Sequence, residues 1–255
     1  MISFLIEMIT QAGRICLEEQ DCLTPEDFEF KGAKDLVTRI DKAVEDYIIQ
    51  TIQARFPDHG IFGEESGRQN TSNPFQWIID PIDGTTSFAH GQPFYAVSIC
   101  LEERGIPQVS AVYAPALNQL FHGEVGKGAF LNNQPIGVSA TTSLEKSVMA
   151  TGFACLRSGL EENNLRHFNR IVPQLRDIRR FGSAAIDLCY TACGKVDGFW
   201  EMNLNPYDIA AGAHIVKLAG GDVTDFKGGN SYPEQGIIAA NPKLNARLQA
   251  LLNQP

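Results

Sequence analysis

Trp77–Phe88 reads WIIDPIDGTTSF, an apolar run that ends in two aspartates three residues apart and a small, hydroxyl-rich turn. The strand-like stretch Gln76–Ile79 delivers Asp80 to its end, where functional groups commonly project. Pro81 fixes the backbone there and removes one donor. The turn that follows can bring Asp80, Asp83 and the carbonyl of Ile82 toward a common point. Ligands that are all oxygen favour a hard cation, Mg²⁺ or Mn²⁺, over Zn²⁺. Gly84, Thr85 and Thr86 are expected to open a short helix, whose free amides and dipole suit a phosphate. A polar turn with an aspartate cap would use the same residues, so the rest of the chain decides.

Upstream lies a second acidic pair, Glu64 and Glu65 in GEES. Adjacent acids in a loop are ordinarily just solvated. A third group, Asp35-Leu36-Val37-Thr38 followed by Asp41, falls at the start of the second helix, and a fourth, Asp208, in the first turn of NPYDIAAG. Acids near a helix N-terminus are favoured electrostatically whatever else they do. Each of these groups alone reads as decoration or a cap, and their combination is what points to chemistry.

The surroundings are those of an ordinary globular chain. Its 255 residues suffice for one large domain or two fused layers around a substantial core. A hydrophobic share of 44% with 20% charged residues leaves no segment that looks disordered. The net charge of -9 argues against a basic nucleic-acid groove, and no direct nucleic-acid binding is expected. It does not argue against an anionic substrate, because bound cations reverse the sign inside a cleft. The six cysteines show no metal spacing; Cys189 and Cys193 fall on one helix face and read as core, a usage that suits a reducing compartment. At the N-terminus Glu7 interrupts the apolar run, while Ile2, Leu5, Ile9, Ala12 and Cys16 keep helical spacing. No apolar stretch has the length of a membrane span, so a soluble, cytoplasmic protein is expected.

The second helix is predicted from Thr38 to Arg55, with Ile40, Val44, Tyr47, Ile48 and Ile52 on one face and FPDHG as its stop. Strand-like runs at Phe94–Leu101, Gln108–Tyr113, Gln119–Gly123 and Gly128–Leu131 suggest an antiparallel meander. After Ser143 the runs SVMATG, DIRRF, GFWE and GIIAAN alternate with helical stretches at Glu162–Gln174, Ala184–Cys193, Pro206–Ala219 and Pro242–Leu252. Gly220-Gly221 stops the third of these helices. Two packed halves are expected. Residues 1–143 would carry the antiparallel sheet and most of the acidic groups, and residues 144–255 the α/β alternation and Asp208.

Taken together, DLVTRID (Asp35–Asp41), GEES (Gly63–Ser66), IDPIDGTTSF (Ile79–Phe88), GSAAIDL (Gly182–Leu188), VDGFWE (Val196–Glu201) and PYDIAAG with AGG (Pro206–Gly212, Ala219–Gly221) resemble the inositol monophosphatase family over nearly the whole chain. The resemblance implies an α/β layered fold, an α-β-α-β-α sandwich of the inositol monophosphatase and fructose-1,6-bisphosphatase type. It implies hydrolysis of a small phosphomonoester, myo-inositol 1-phosphate first, by direct attack of metal-activated water. It also implies Mg²⁺ as cofactor with Mn²⁺ as substitute, inhibition by Li⁺, and a homodimer. Residue by residue, Glu64, Asp80 and the Ile82 carbonyl would hold one metal. Asp80, Asp83 and Asp208 would hold a second, and a weaker third would sit near Glu64. Asp41 and Thr85 would orient and deprotonate the water. Amides of Gly84 and Thr85 would hold the phosphate, and Gly182, Ser183, Ala184 and Glu201 would meet the alcohol.

Physical chemistry agrees with that set. Asp41, Glu64, Asp80, Asp83 and Asp208 gathered without a cation would raise one another's pKa values and repel a phosphate. Metals remove both obstacles. No His or Cys lies in these motifs, which disfavours a phosphohistidine or phosphocysteine intermediate. Haloacid-dehalogenase phosphatases, which use Asp-x-Asp-Gly-Thr, do not fit, because Pro81 stands two before Asp83. Ser87 and Tyr207 depart from the family's usual Asn and Trp, which bears on the substrate. Relatives of this fold act on fructose bisphosphate, histidinol phosphate or adenosine bisphosphate. A partner-binding protein on a phosphatase scaffold is the alternative of another class.

Overall fold

The computed structural model describes residues 1–20, 22–24, 28–32 and 35–254, with the backbone alone for 28–32 and 35–37. The chain opens with α1 (Ile2–Gln20), the antiparallel pair β1 (Phe28–Gly32) and β2 (Asp35–Thr38), and α2 (Arg39–Arg55). Then come β3 (Gly60–Gly63), β4 (Gly67–Gln69), β5 (Phe75–Asp83) and the short α3 (Thr85–Ala89). A meander follows in β6 (Ala96–Glu103), β7 (Ile106–Ala114), β8 (Gln119–Glu124), β9 (Gly128–Leu131) and β10 (Gln134–Pro135). The second half runs β11 (Val148–Thr151), α4 (Ala154–Arg157), α5 (Leu165–Ile171), β12 (Asp177–Arg179), α6 (Ala184–Ala192) and β13 (Gly198–Glu201). It closes with α7 (Pro206–Leu218), β14 (Asp222–Thr224), β15 (Ile237–Ala240) and α8 (Pro242–Leu252).

Two sheets result. The larger has the order β10-β9-β8-β7-β6-β5-β3-β4, antiparallel except where β3 runs parallel to β5. The smaller has the order β12-β11-β13-β15-β14 and mixes parallel with antiparallel pairs. Period-two alternation buries both faces of each sheet. In β6, Val97, Ile99 and Leu101 join the core under α1 and α2, while Ala96 and Cys100 join the core shared with α6 and α7. In β15, Ile237 and Ala239 face α6 and α7, while Ile238 and Ala240 pack with Leu244 and Leu248 of α8. The layers are therefore α1/α2, large sheet, α6/α7, small sheet and α5/α8. Each Ile or Leu fully buried between them contributes roughly 1.5–3 kcal/mol. This is the expected α-β-α-β-α sandwich. Among the described residues no helix is long and apolar enough to cross a membrane.

One irregularity builds the site. Asp80 pairs with Ser98 and Asp83 with Ala96, so β5 holds an extra residue where β6 does not. Plain alternation would aim residues three apart to opposite faces. The bulge turns both aspartates to the face of Ala96 and Ser98, toward α6 and α7. Pro81 suits the bulge because it has no amide to leave unpaired.

Several boundaries differ from expectation. Asp35 lies in β2, paired with Gly32, and not at the start of α2. That helix begins at Arg39, with Thr38 as its cap accepting from Ile40 N at 3.1 Å. The run Leu36-Val37-Thr38 favours extended backbone and postpones the helix. The stretch Glu162–Gln174 yields only α5 and one 3₁₀ turn, Val172–Gln174, because Pro173 cannot continue the α-helical ladder. Strands β3, β4 and β14, short and bounded by glycine or turn residues, carry too little alternation to be read from sequence.

Candidate active site

Asp80, Asp83 and Asp208 meet where β5 ends beside the first turn of α7, each with a carboxylate oxygen within 4.8 Å of the others'. Asp83 is tied to the start of α6. Its Oδ2 accepts from Ser183 Oγ at 2.5 Å and from the Ala185 amide at 2.6 Å, one of the helix's free N–H groups. Asp208 occupies the third position of α7, and its Oδ2 accepts from Asn205 N at 2.6 Å in a capping box. It is thus cap and cluster member at once. Asp80 has no such support: it is 1% exposed, and among the described residues its Oδ1 has no partner.

The electrostatics follow. Burial, then the charges of Glu64, Asp83, Asp208 and Asp41, push Asp80 well above the ordinary carboxylate range. Burial raises Asp83 to about 6, held from going further by Ser183, Ala185 and the charges of Arg157 and Arg180. Asp208 is raised by burial and by Asp83, against the pull of the Asn205 amide. An all-oxygen donor set, mutually repelling acids and an orphaned buried oxygen fit a hard divalent cation.

Asp41 and Thr85 are brought together from opposite sides. Asp41 Oδ2 accepts from Thr38 N at 2.8 Å and Thr38 Oγ1 at 2.7 Å. Its Oδ1 lies 3.3 Å from Thr85 Oγ1, which is also 3.1 Å from the Ile82 carbonyl. Burial raises Asp41 to about 6 despite the Thr38 bonds. Glu64 sits in the β3–β4 turn, its amide donating to Ile79 O at 3.1 Å. It stands outside the three-acid group, yet its charge bears on Asp80 more than any other. Gly84 begins α3 at φ 92, and a Cβ there would come within 2.8 Å of Phe94 O, so glycine is needed. Tyr207 packs edge-on against Phe62 at 5.7 Å, linking α7 to β3.

The residues expected to meet the alcohol lie at the start of α6 and the end of β13. Ser183 is 1% exposed and caps α6 while donating to Asp83, so its position is that of a support for the cluster. Ala184 is also buried. Gly182, at φ 101, turns the chain into α6. Glu201 ends β13, buried, with Oε1 accepting from Ala154 N at 3.0 Å. Burial raises it to about 7, opposed by that amide and by Arg180 and Arg157. Sequence reasoning gave Thr38 no part of its own in the site and passed over Glu45. Thr38 was signalled by a hydroxyl three before Asp41, the spacing of a capping box, while the partners of Glu45 lie 20 and 21 residues away and leave no local signal.

Five alternating layers with an acid cluster at a strand bulge define a protein of the inositol monophosphatase fold. The sequence matches the inositol monophosphatase family over residues 1–254, and the chain belongs to that family. Among its relatives, the inositol-1-monophosphatase of Synechocystis is 46% identical over 226 residues, 88% of this chain and 79% of that protein. The Nus factor SuhB of Escherichia coli is 39% identical over 246 residues, 96% of this chain and 92% of that protein. Among solved structures, the extragenic suppressor protein suhB from Bartonella henselae superposes with a TM-score of 0.92 at 36% identity, covering 99% of this chain and 98% of that one.

Proposed function

We propose that the protein is a Mg²⁺-dependent phosphatase of small phosphomonoesters, with myo-inositol 1-phosphate as the foremost substrate and Mn²⁺ as a substitute metal. The observation that carries this reading is the Asp80–Asp83–Asp208 group, with a buried oxygen that has no partner among the described residues. Glu64, Asp80 and the Ile82 carbonyl would hold one cation, and Asp80, Asp83 and Asp208 another. Bound Mg²⁺ supplies the positive charge that draws in the phosphate and acidifies water. Thr85 Oγ1, set between Asp41 Oδ1 and the Ile82 carbonyl, orients the attacking water. Asp41, whose Oδ1 lies 3.3 Å from Thr85 Oγ1, takes up the water's proton through Thr85 as that hydroxyl passes its own proton on. Amides of Gly84 and Thr85 hold the phosphate.

Ser183 works in this scheme by holding Asp83, and Glu201 with Gly182 borders the alcohol. The charges of Arg157 and Arg180 act on both Asp83 and Glu201, which places positive charge beside that border. Inositol phosphate leads because the Synechocystis relative carries that name. A screen of phosphomonoesters by kcat/KM, with and without Mg²⁺, tests the reading. Inositol 1-phosphate should stand at or near the top, and a preference for another sugar or polyol phosphate would move the substrate while keeping the chemistry. The relatives called Nus factor favour a second reading, a partner-binding role on the same scaffold. Absence of phosphate release from every ester in Mg²⁺ would favour it. A homodimer completes the proposal, to be checked by sedimentation.

A further inference from the structure

Glu45 lies one turn after Asp41 on α2, so the two side chains leave the same face of the helix. It is 1% exposed, and each of its oxygens holds a different backbone amide. Oε2 accepts from Glu65 N at 3.0 Å and Oε1 from Ser66 N at 2.7 Å. These are the two amides that follow Glu64 in the turn between β3 and β4. The amide of Glu64 itself donates to Ile79 O at 3.1 Å, one residue before Asp80. Gly63 completes the arrangement, because a Cβ there would overlap the Glu45 carboxylate. The turn is therefore fastened to β5 by one backbone bond and to α2 by two bonds to a carboxylate, which are stronger than neutral ones.

We infer that Glu45 is a positioning residue: its carboxylate fixes the Gly63–Ser66 turn so that Glu64 is held toward Asp80, and it thereby sets the cation affinity of that pair. The inference rests on the reading that Glu64 and Asp80 hold a cation. It also gives α2 a second task. The helix that carries Asp41 to Thr85 also carries the clamp for Glu64, and its rigidity keeps both in register.

Glu45→Gln preserves shape but turns one acceptor into a donor facing a backbone N–H. Calorimetric titration of Mg²⁺ into metal-free Glu45→Gln, Glu64→Gln and the double variant, with circular dichroism of each, tests the inference. Each single variant should weaken Mg²⁺ binding roughly tenfold or more, as loss of a group supporting a ligand does. The double variant should bind no more weakly than Glu64→Gln alone, because Glu45 acts through Glu64. If Glu45→Gln fails to fold, Glu45→Asp keeps the charge but falls short of the amides and should weaken binding likewise. Losses that add in the double variant would overturn the inference. Wild-type affinity in folded Glu45→Gln or Glu45→Asp, beside weak binding in Glu64→Gln, would overturn it while sparing the site. Wild-type affinity in Glu64→Gln would remove Glu64 from the site and the inference with it.

Discussion

Asp225, in the turn after β14, and Asp80, at the end of β5, are buried alike, at 2% and 1% exposure, and live in opposite surroundings. Asp225 Oδ1 accepts from Lys227 N and Gly229 N at 2.8 Å each, and its Oδ2 from Ser231 N at 2.9 Å. Burial pushes Asp225 up, but the amides of Gly229, Ser231, Lys227 and Gly228 together pull it below the ordinary range. Among the described residues Asp80 has an oxygen with no donor and four other acids acting on it, and it is pushed far up. Burial by itself therefore does not mark a functional carboxylate. An acid saturated with N–H donors holds a turn together. An acid without them, among like charges, is completed only by a cation or a proton.

The widest separation between the two should come from Asp80→Asn and Asp225→Ala. Asp80→Asn should lower kcat by roughly a hundredfold or more, the scale of a lost electrostatic contribution. It should leave the metal-free protein no less stable, since one repelling charge is gone. Asp225→Ala should do the reverse, costing about 3 kcal/mol in urea unfolding by stranding several amides, with kcat nearly unchanged. Similar kinetic losses in the two variants would erase the contrast.

Titration should sharpen it. Asp41 and Asp83 are raised to about 6 and Glu201 to about 7, against roughly 4 in the unfolded chain. The folded state then binds these protons more tightly. Their contribution to stability is full below about pH 4 and is lost as pH rises through about 6 to 7. Metal-free protein should accordingly melt lower at about pH 8 than at about pH 5, and Mg²⁺ should narrow the difference by standing in for the protons. Asp225 has the opposite sign, its contribution fading as pH falls below the usual carboxylate value. A metal-free melting temperature that climbs from about pH 5 to about pH 8 would contradict the assignment.

Ser183→Ala should have the smallest effect, because Ala185 N still serves Asp83. One hydrogen bond to a charged group corresponds to about a tenfold loss of turnover, with about 1 kcal/mol of stability lost from the α6 cap. The loss should be equal on inositol 1-phosphate and on a simple aryl phosphate. A loss confined to the inositol ester would return Ser183 to the alcohol.

Local patterns carried much of this. The meander from β6 to β9, the ends of α2, α7 and α8, and the acids themselves all announce themselves through alternation, caps and breakers. What was illegible depends on distant partners. Asp80 and Asp83 share a face only because β6 opposes the four residues 80–83 with three. Ser183 reaches Asp83 from 100 residues away, a support no spacing rule encodes. Glu45 reads as an ordinary helical acid until the β3–β4 turn folds over it.

The most direct test of the central claim is phosphate release from myo-inositol 1-phosphate by metal-stripped protein as Mg²⁺ is added back, for wild type and Asp80→Asn side by side. Without metal no release is expected; with Mg²⁺ the wild type should show a saturable rise and the variant almost none. Turnover that persists in excess chelator, or an Asp80→Asn curve that overlays the wild type, would contradict it.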